Sequence, residues 1–395
     1  MAIAALLTVG VFGVGRELNI GHHDLTQFYT AGKLLLDGKS PYDPRAFAIE
    51  FQEVIRSIPD YRFLSNFQYS FLYPPQVGLF CMFFALFDYH GAIIAVDVMH
   101  LAIVAFLAIV STWFVTRAQV TRPASTMPIS KWLIPFLIIG NPFSAHLVWL
   151  GGMTFLPGVA TIGGWYFAAR DRAWLGGLIL GFATIKPQLA ILPVFWLLLE
   201  RRWKVLGAMS LSSAGLAAYV LVLLGPIDTI RQWLLSAVLF ETVPTAANRL
   251  GSREIMGIPS LLAALEIEVP GRLILLAFAL VITFILWLMR KRFCPDDILG
   301  LLLSIQAMVV YGRHTEIVLL TPLLTSLWLH GAHRKVLCVA MAVAIPLLFL
   351  PQRFVIPLDV PVLIHWRTVI ITLATIVLAI LSLQQANRDD RISSL

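Results

Sequence analysis

The stretch Gly21–Pro44 reads GHHDLTQFYTAGKLLLDGKSPYDP, and the polar passage it opens closes on Tyr69–Pro75, YSFLYPP. Nowhere else is this very apolar chain interrupted for so long. Leu25, Phe28, Gly32, Leu35 and Leu36 recur at helical spacing and make one apolar stripe. Gly38 and Ser40-Pro41 stop that helix. Asp43-Pro44 starts another, with Asp at the N-cap and Pro at the first helical position. Phe47, Phe51, Val54 and Ile58 give the second helix its apolar face. Two short amphipathic helices beside apolar segments are expected to lie in a membrane interface.

The chain on either side demands a lipid solvent. Of its 395 residues 59% are hydrophobic and 13% charged, with a mean hydropathy of +0.84. Soluble domains carry about a quarter charged residues, so such a chain cannot cover itself with polar groups. The net charge of +7 does not point to nucleic acid, because the basic residues sit in short runs between apolar segments. Cys81, Cys294 and Cys338 show neither metal nor disulfide spacing.

Residues 2–14 read as a short first helix rather than a cleaved signal, lacking a basic start and a small-residue cleavage site. Further apolar segments follow at about 76–87, 91–116, 131–150, 152–169, 173–185, 187–200, 204–225, 273–289, 297–311, 315–330, 335–350 and 363–384. The expected fold is all-α: one polytopic membrane domain over 1–395 with about 11–13 membrane helices. Basic turns at Arg170–Arg172, Glu200–Lys204, Arg290–Arg292 and His333–Lys335 are assigned to the cytoplasmic side. Loop 15–74 holds six Lys/Arg against seven Asp/Glu, and 226–272 holds four against five. Both belong outside on that rule. One conflict remains: if 76–87 and 91–116 both cross, the basic stretch 117–130 falls outside. Either one segment turns back, or 131–150, broken by Pro135, Asn141 and Pro142, does not cross.

Ionisable groups in or beside membrane helices are functional candidates, because inserting them is costly. In His22-His23-Asp24 the acid, with Gln27 three residues on, fits a helix capping box. It also fits a general base poised for an acceptor hydroxyl. Thr184-Ile185-Lys186-Pro187-Gln188 tips a helical hairpin, where Lys186 and Gln188 suit a phosphate or Lys186 snorkels to headgroups. Arg313-His314-Thr315-Glu316 suits an anion or a proton transfer, or is a polar turn in which Arg313 and Glu316 pair. Arg249 and Arg253 in the long loop 226–272 can clamp a diphosphate or an acceptor headgroup or be solvated. Asn141 and His146 line the broken segment, and Asp97 with His100 shares one helical face. No P-loop, Gly-rich dinucleotide motif, HExxH or zinc spacing is present. A transferred sugar is therefore not expected to come from a cytoplasmic nucleotide sugar.

An acid after the first helix, then QFYTAGKLLLDGKSPYDP, then FLYPP, and finally RAWLGGLILGFATIKPQLAILPVFWLLLERRW together resemble one family. They look like the polyprenol-phosphate-mannose-dependent mannosyltransferases of glycosyltransferase family 87. The likeness runs from about 20 to 330. It implies the multi-helix GT-C fold in the plasma membrane, crossing it many times, with the active site on the extracytoplasmic face. It implies inverting transfer from a polyprenyl-phosphate-linked sugar to a glycolipid or glycan acceptor, with membrane lipid as the other partner. The base would be Asp24. The donor phosphate would meet Lys186 and His314. Beside the resemblance, Arg249 and Arg253 are expected near that phosphate from their own chemistry, and His23, Tyr42, Tyr73, Asn141, His146, Gln188, Arg313 and Glu316 are further site candidates. No cofactor and no metal are implied. The sequence departs from the family where Leu25 follows the acid in place of an aromatic, and where Gly140-Asn141-Pro142 replaces Gly-Gln-x-Asn. The rival from another class is a transporter or flippase of a lipid-linked or small polar substrate. An internal inverted repeat would favour it, and none is clear.

Overall fold

The computed structural model describes residues 23–58, 71–121, 141–242, 250–252, 255–310, 312–331, 334–350, 355 and 360–393. In chain order its helices are α1 (His23–Leu36), α2 (Pro44–Arg56), α3 (Gly78–Ala85), α4 (Tyr89–Thr121), α5 (Pro142–Leu150), α6 (Phe155–Ala168), α7 (Ala173–Gly181), α8 (Ile191–Leu199) and α9 (Trp203–Leu224). They continue as α10 (Pro226–Thr242), α11 (Ile258–Ala264), α12 (Arg272–Leu288), α13 (Pro295–Ile305), α14 (Thr321–Gly331), α15 (Lys335–Leu348), α16 (Pro361–Ile364) and α17 (Trp366–Ser393). Among the described residues the one sheet is an antiparallel pair, β1 (Ile255–Met256) with β2 (Gly312–Arg313).

The protein is thus an all-α membrane protein. By length and composition Tyr89–Val110, Trp203–Leu224 and Trp366–Gln385 can each cross a bilayer. Shorter apolar helices run over Pro75–Ala85, Ala173–Ile185, Arg272–Leu288 and Lys335–Leu348. The segment before α4 is one 3₁₀ turn and α3, rising only about 18 Å against a hydrocarbon core of about 30 Å. By its length it does not match a full span.

Local chemistry sets the ends of the first two helices. Gly38, at φ 70°, carries α1 into a turn in which the Gly38 and Lys39 N–H groups return to the carbonyls of Leu35 and Leu34. Asp43 caps α2, accepting from the N–H groups of Arg45 and Ala46, with Pro44 at the first position. Phe47, Phe51 and Val54 of α2 are buried as its sequence pattern predicts. Helix α1 is more enclosed than a single stripe implies. Leu25, Phe28, Ala31, Leu34 and Leu35 are buried, and so are Thr26 and Thr30 on its other side. The threonines satisfy their hydroxyls there: Thr30 donates to the Thr26 carbonyl, and Thr26 shares a 2.7 Å bond with Tyr89. A β-carbon on Gly32 would lie 2.0 Å from the Cys81 carbonyl oxygen, so α1 and α3 touch backbone to backbone.

Two apolar cores result. One gathers Phe28, Phe47, Phe51, Phe71 and Phe84 around α1 to α3 and the start of α4. The larger one joins α5, α6, α8, α13, α14 and α17. The segment 226–272, expected as a loop, holds the 17-residue helix α10, then β1 and α11. Between α13 and β2 the chain makes a π turn over Gln306–Val310.

Candidate active site

Asp24 lies in the first turn of α1, where unpaired backbone N–H groups favour a carboxylate. Its side chain rests on Gly152, whose β-carbon, if present, would lie 2.7 Å from Asp24 Oδ2. Gly152 belongs to the short connector between α5 and α6, held from the other side by His100 Nε2, 3.0 Å from the Gly152 carbonyl oxygen.

Two residues further along that connector, Thr154 Oγ1 accepts a 3.0 Å bond from Lys186 Nζ. Lys186 stands where the hairpin helix breaks, between the 3₁₀ turns Phe182–Ile185 and Pro187–Leu189. Its ammonium is buried and pairs with Glu316 Oε1 at 2.6 Å. Glu316 Oε2 accepts from the Arg313 backbone N–H at 3.2 Å. The broken hairpin is clasped by Gln306 from the π turn. Its amide oxygen accepts from the Leu192 N–H at 3.1 Å, and its amide nitrogen donates to the Gln188 carbonyl.

An imidazole and a buried guanidinium stand beside this pair. The His314 ring lies 6.2 Å from that of Phe143, centre to centre. The Arg367 guanidinium sits 4.9 Å over the same Phe143 and 4.0 Å over Trp366. Arg367 is buried and donates to the carbonyls of Leu348 and Leu350 at the end of α15. Burial pushes the His314 imidazole down to about 3, helped by the positive fields of Arg367, Arg313, His146 and His365. His314 is therefore neutral near pH 7. Such an assembly of cations and polarisable rings suits an anion. The strand pairing Ile255↔Arg313 and a 3.1 Å bond from the Gly257 N–H to Thr368 Oγ1 fix it to β1 and α17.

The other expected residues are placed as follows. Asn141 caps α5, accepting from the N–H groups of Phe143 and Ser144 at 2.8 and 2.9 Å. Tyr42 is buried in the α1–α3 core and donates to the Tyr73 carbonyl at 2.9 Å. Burial raises its phenol well above the usual range, so it stays a donor. The Tyr73 ring packs 4.8 Å from that of Phe28. His146 is exposed, its ring 5.1 Å from that of Trp149. His23 opens α1. Arg249 and Arg253 lie outside the described residues. Sequence reading missed Arg367 and His365, at the head of the last long helix. The signal was there, since an arginine within an apolar run is itself unusual.

A family model described as glycosyltransferase family 87 matches residues 71–313, more than half of the chain. No curated protein and no solved structure matches it.

Proposed function

Because the chain belongs to glycosyltransferase family 87, we propose that it is an inverting enzyme moving mannose from a polyprenyl phosphate to a glycolipid or glycan acceptor. The transfer would take place on the extracytoplasmic face of the plasma membrane. The family and the apolar helices make it a membrane glycosyltransferase; donor, sugar and sidedness are our reading.

The observation that carries it is the connector 151–154. Asp24 rests on Gly152 and Lys186 bonds to Thr154, so the first-loop acid and the hairpin lysine meet at one place. In our scheme Asp24 takes the proton of the acceptor hydroxyl as its oxygen attacks the anomeric carbon. The bond from that carbon to the phosphate oxygen breaks, and the electron pair leaves with the polyprenyl phosphate. The developing charge falls to the Arg367 guanidinium and the His314 ring, and such fixed groups are effective where water is excluded. His314, neutral, would donate one N–H. Lys186, its charge matched by Glu316, would hold the hairpin tip against the 312–316 segment.

Transfer from radiolabelled polyprenyl-phosphate-mannose to membrane lipid or glycan, in wild type and Asp24→Asn, tests this reading. Label moving with wild type alone is expected, since removing a general base costs roughly 10²–10⁴-fold. Equal transfer by both discards Asp24. No transfer by either discards mannose as the donor sugar, and the same assay with arabinofuranose- or glucose-charged lipid follows.

A further inference from the structure

Helix α10 is built inside out. At 100° per residue Ile227, Ile230, Leu234, Leu235 and Val238 fall on one face, and all five are exposed, Ile227 at 80%. The opposite face is polar. Thr229 and Ser236 are buried on it, Gln232 accepts a 2.6 Å bond from Ser40 Oγ, and Trp233 Nε1 donates to the Leu72 carbonyl at 3.1 Å. A helix beside water turns its apolar side inward; this one turns it away from the protein.

We propose that α10 lies in the headgroup–acyl boundary of the bilayer, with lipid as the occupant of its apolar face. Three observations favour lipid over a second copy or a protein partner. The long apolar helix α9 that precedes it also exposes aliphatic side chains, Leu211, Val222 and Leu223, Val222 at 85%. The chain turns at Gly225 (φ 83°) and α10 starts at the next residue, so it leaves that span at membrane depth. Arg231 stands among the aliphatic side chains of this face, and its long stem lets the charge reach lipid phosphates while the rest stays in hydrocarbon.

The placement has a consequence for the first loop. Ser40 follows α1, and Leu72 precedes α3. Through Gln232 and Trp233 the lipid-seated helix holds both ends of that loop, and with them the helix that carries Asp24.

The test uses the full chain in liposomes of phosphatidylethanolamine and phosphatidylglycerol, with Cys294 and Cys338 replaced by serine. A nitroxide is placed at Leu234→Cys, at Val238→Cys and, for reference, at Val222→Cys. Collision with oxygen and with a water-soluble nickel chelate is then measured. The expected result at 234 and 238 is oxygen contact dominating, as at 222. Nickel contact dominating would put the face in water and overturn the proposal. Contact with neither would put protein over it, which also overturns it. A second measurement needs no substitution. A phospholipid with a photoreactive acyl chain should label residues 227–238 of the unmodified protein. Labelling confined to α9 would sink the idea.

Discussion

Asp24 and Gly152 share a space in which no β-carbon fits: one built on Gly152 would stand 2.7 Å from the Asp24 carboxylate oxygen. The acid is therefore placed by the backbone of another segment as well as by its own helix. Gly152→Ala should push the carboxylate aside by a fraction of an ångström to an ångström. A displacement of that size costs on the order of 10²-fold in rate. The expected outcome is a kcat loss of that order with an almost unchanged Tm. An unaltered kcat would show that the carboxylate's position does not matter.

The Lys186–Glu316 pair is buried at both ends, with side-chain exposures of 10% and 4%. Breaking such a pair from one side leaves an uncompensated buried charge and costs about 3–5 kcal/mol. Lys186→Met and Glu316→Leu should each destabilise by that much in denaturant titrations of the detergent-solubilised protein. The double variant should recover most of the loss, because an apolar replacement of the whole pair is often close to neutral. Additive losses in the double variant would mean the two charges do not support each other.

His314 gives the fold an acid limb. Its folded pKa is lowered, to about 3, while an unfolded histidine titrates near 6.5. Below about 6.5 the unfolded chain takes up a proton that the folded chain refuses, so stability present above that pH is lost as pH falls towards 3. The loss from this one group is about 2 kcal/mol at pH 5 relative to pH 8. His314→Gln should flatten the stability–pH curve by that amount between pH 5 and 7. A bound phosphate favours the charged ring, so donor analogues should take up protons at pH 5 in wild type only. Calorimetry in buffers of differing ionisation enthalpy reads this directly.

Arg367 is a buried cation held by two carbonyls and two aromatic rings. If it faces the donor phosphate, Arg367→Gln should narrow the preference for polyprenyl phosphate over the uncharged polyprenol by roughly 10–100-fold, the value of a hydrogen bond to a charged group. Arg367→Lys should keep more of it. Equal loss of both ligands in Arg367→Gln would assign the residue to holding α15 against α17 alone.

What could be read in the chain beforehand was what neighbours in sequence decide. Asp43 with Pro44, and Gly38 behind Leu35 and Leu36, act within four residues, and their helix ends fall where expected. Pro187 likewise marks the hairpin break, because it removes a donor and fixes its own φ. The pairings that make the site are not local. Lys186 and Glu316 are 130 residues apart, and Arg367 approaches His314 only after the last helices have packed. Helix α10 escaped for another reason. Mixed charges and a low apolar average look like a loop, and only the face-by-face arrangement of its side chains shows what surrounds it.

The π turn at Gln306–Val310 places one more residue in the chain than an α-helix would use over that distance. Directly beyond it the chain pairs as β2 with β1, Gly312 opposite Met256 and Arg313 opposite Ile255. With one residue fewer the chain falls short of that pairing, and a strand that slips by one residue turns its side chains to the other face. The segment that sets Glu316 against Lys186 would then lose its anchor. Gln306, the first residue of the bulge, is also the clasp on the broken hairpin. A one-codon deletion at this point would thus loosen the hairpin and the 312–316 segment together without replacing any side chain of the candidate site, and point-substitution scans would never sample it.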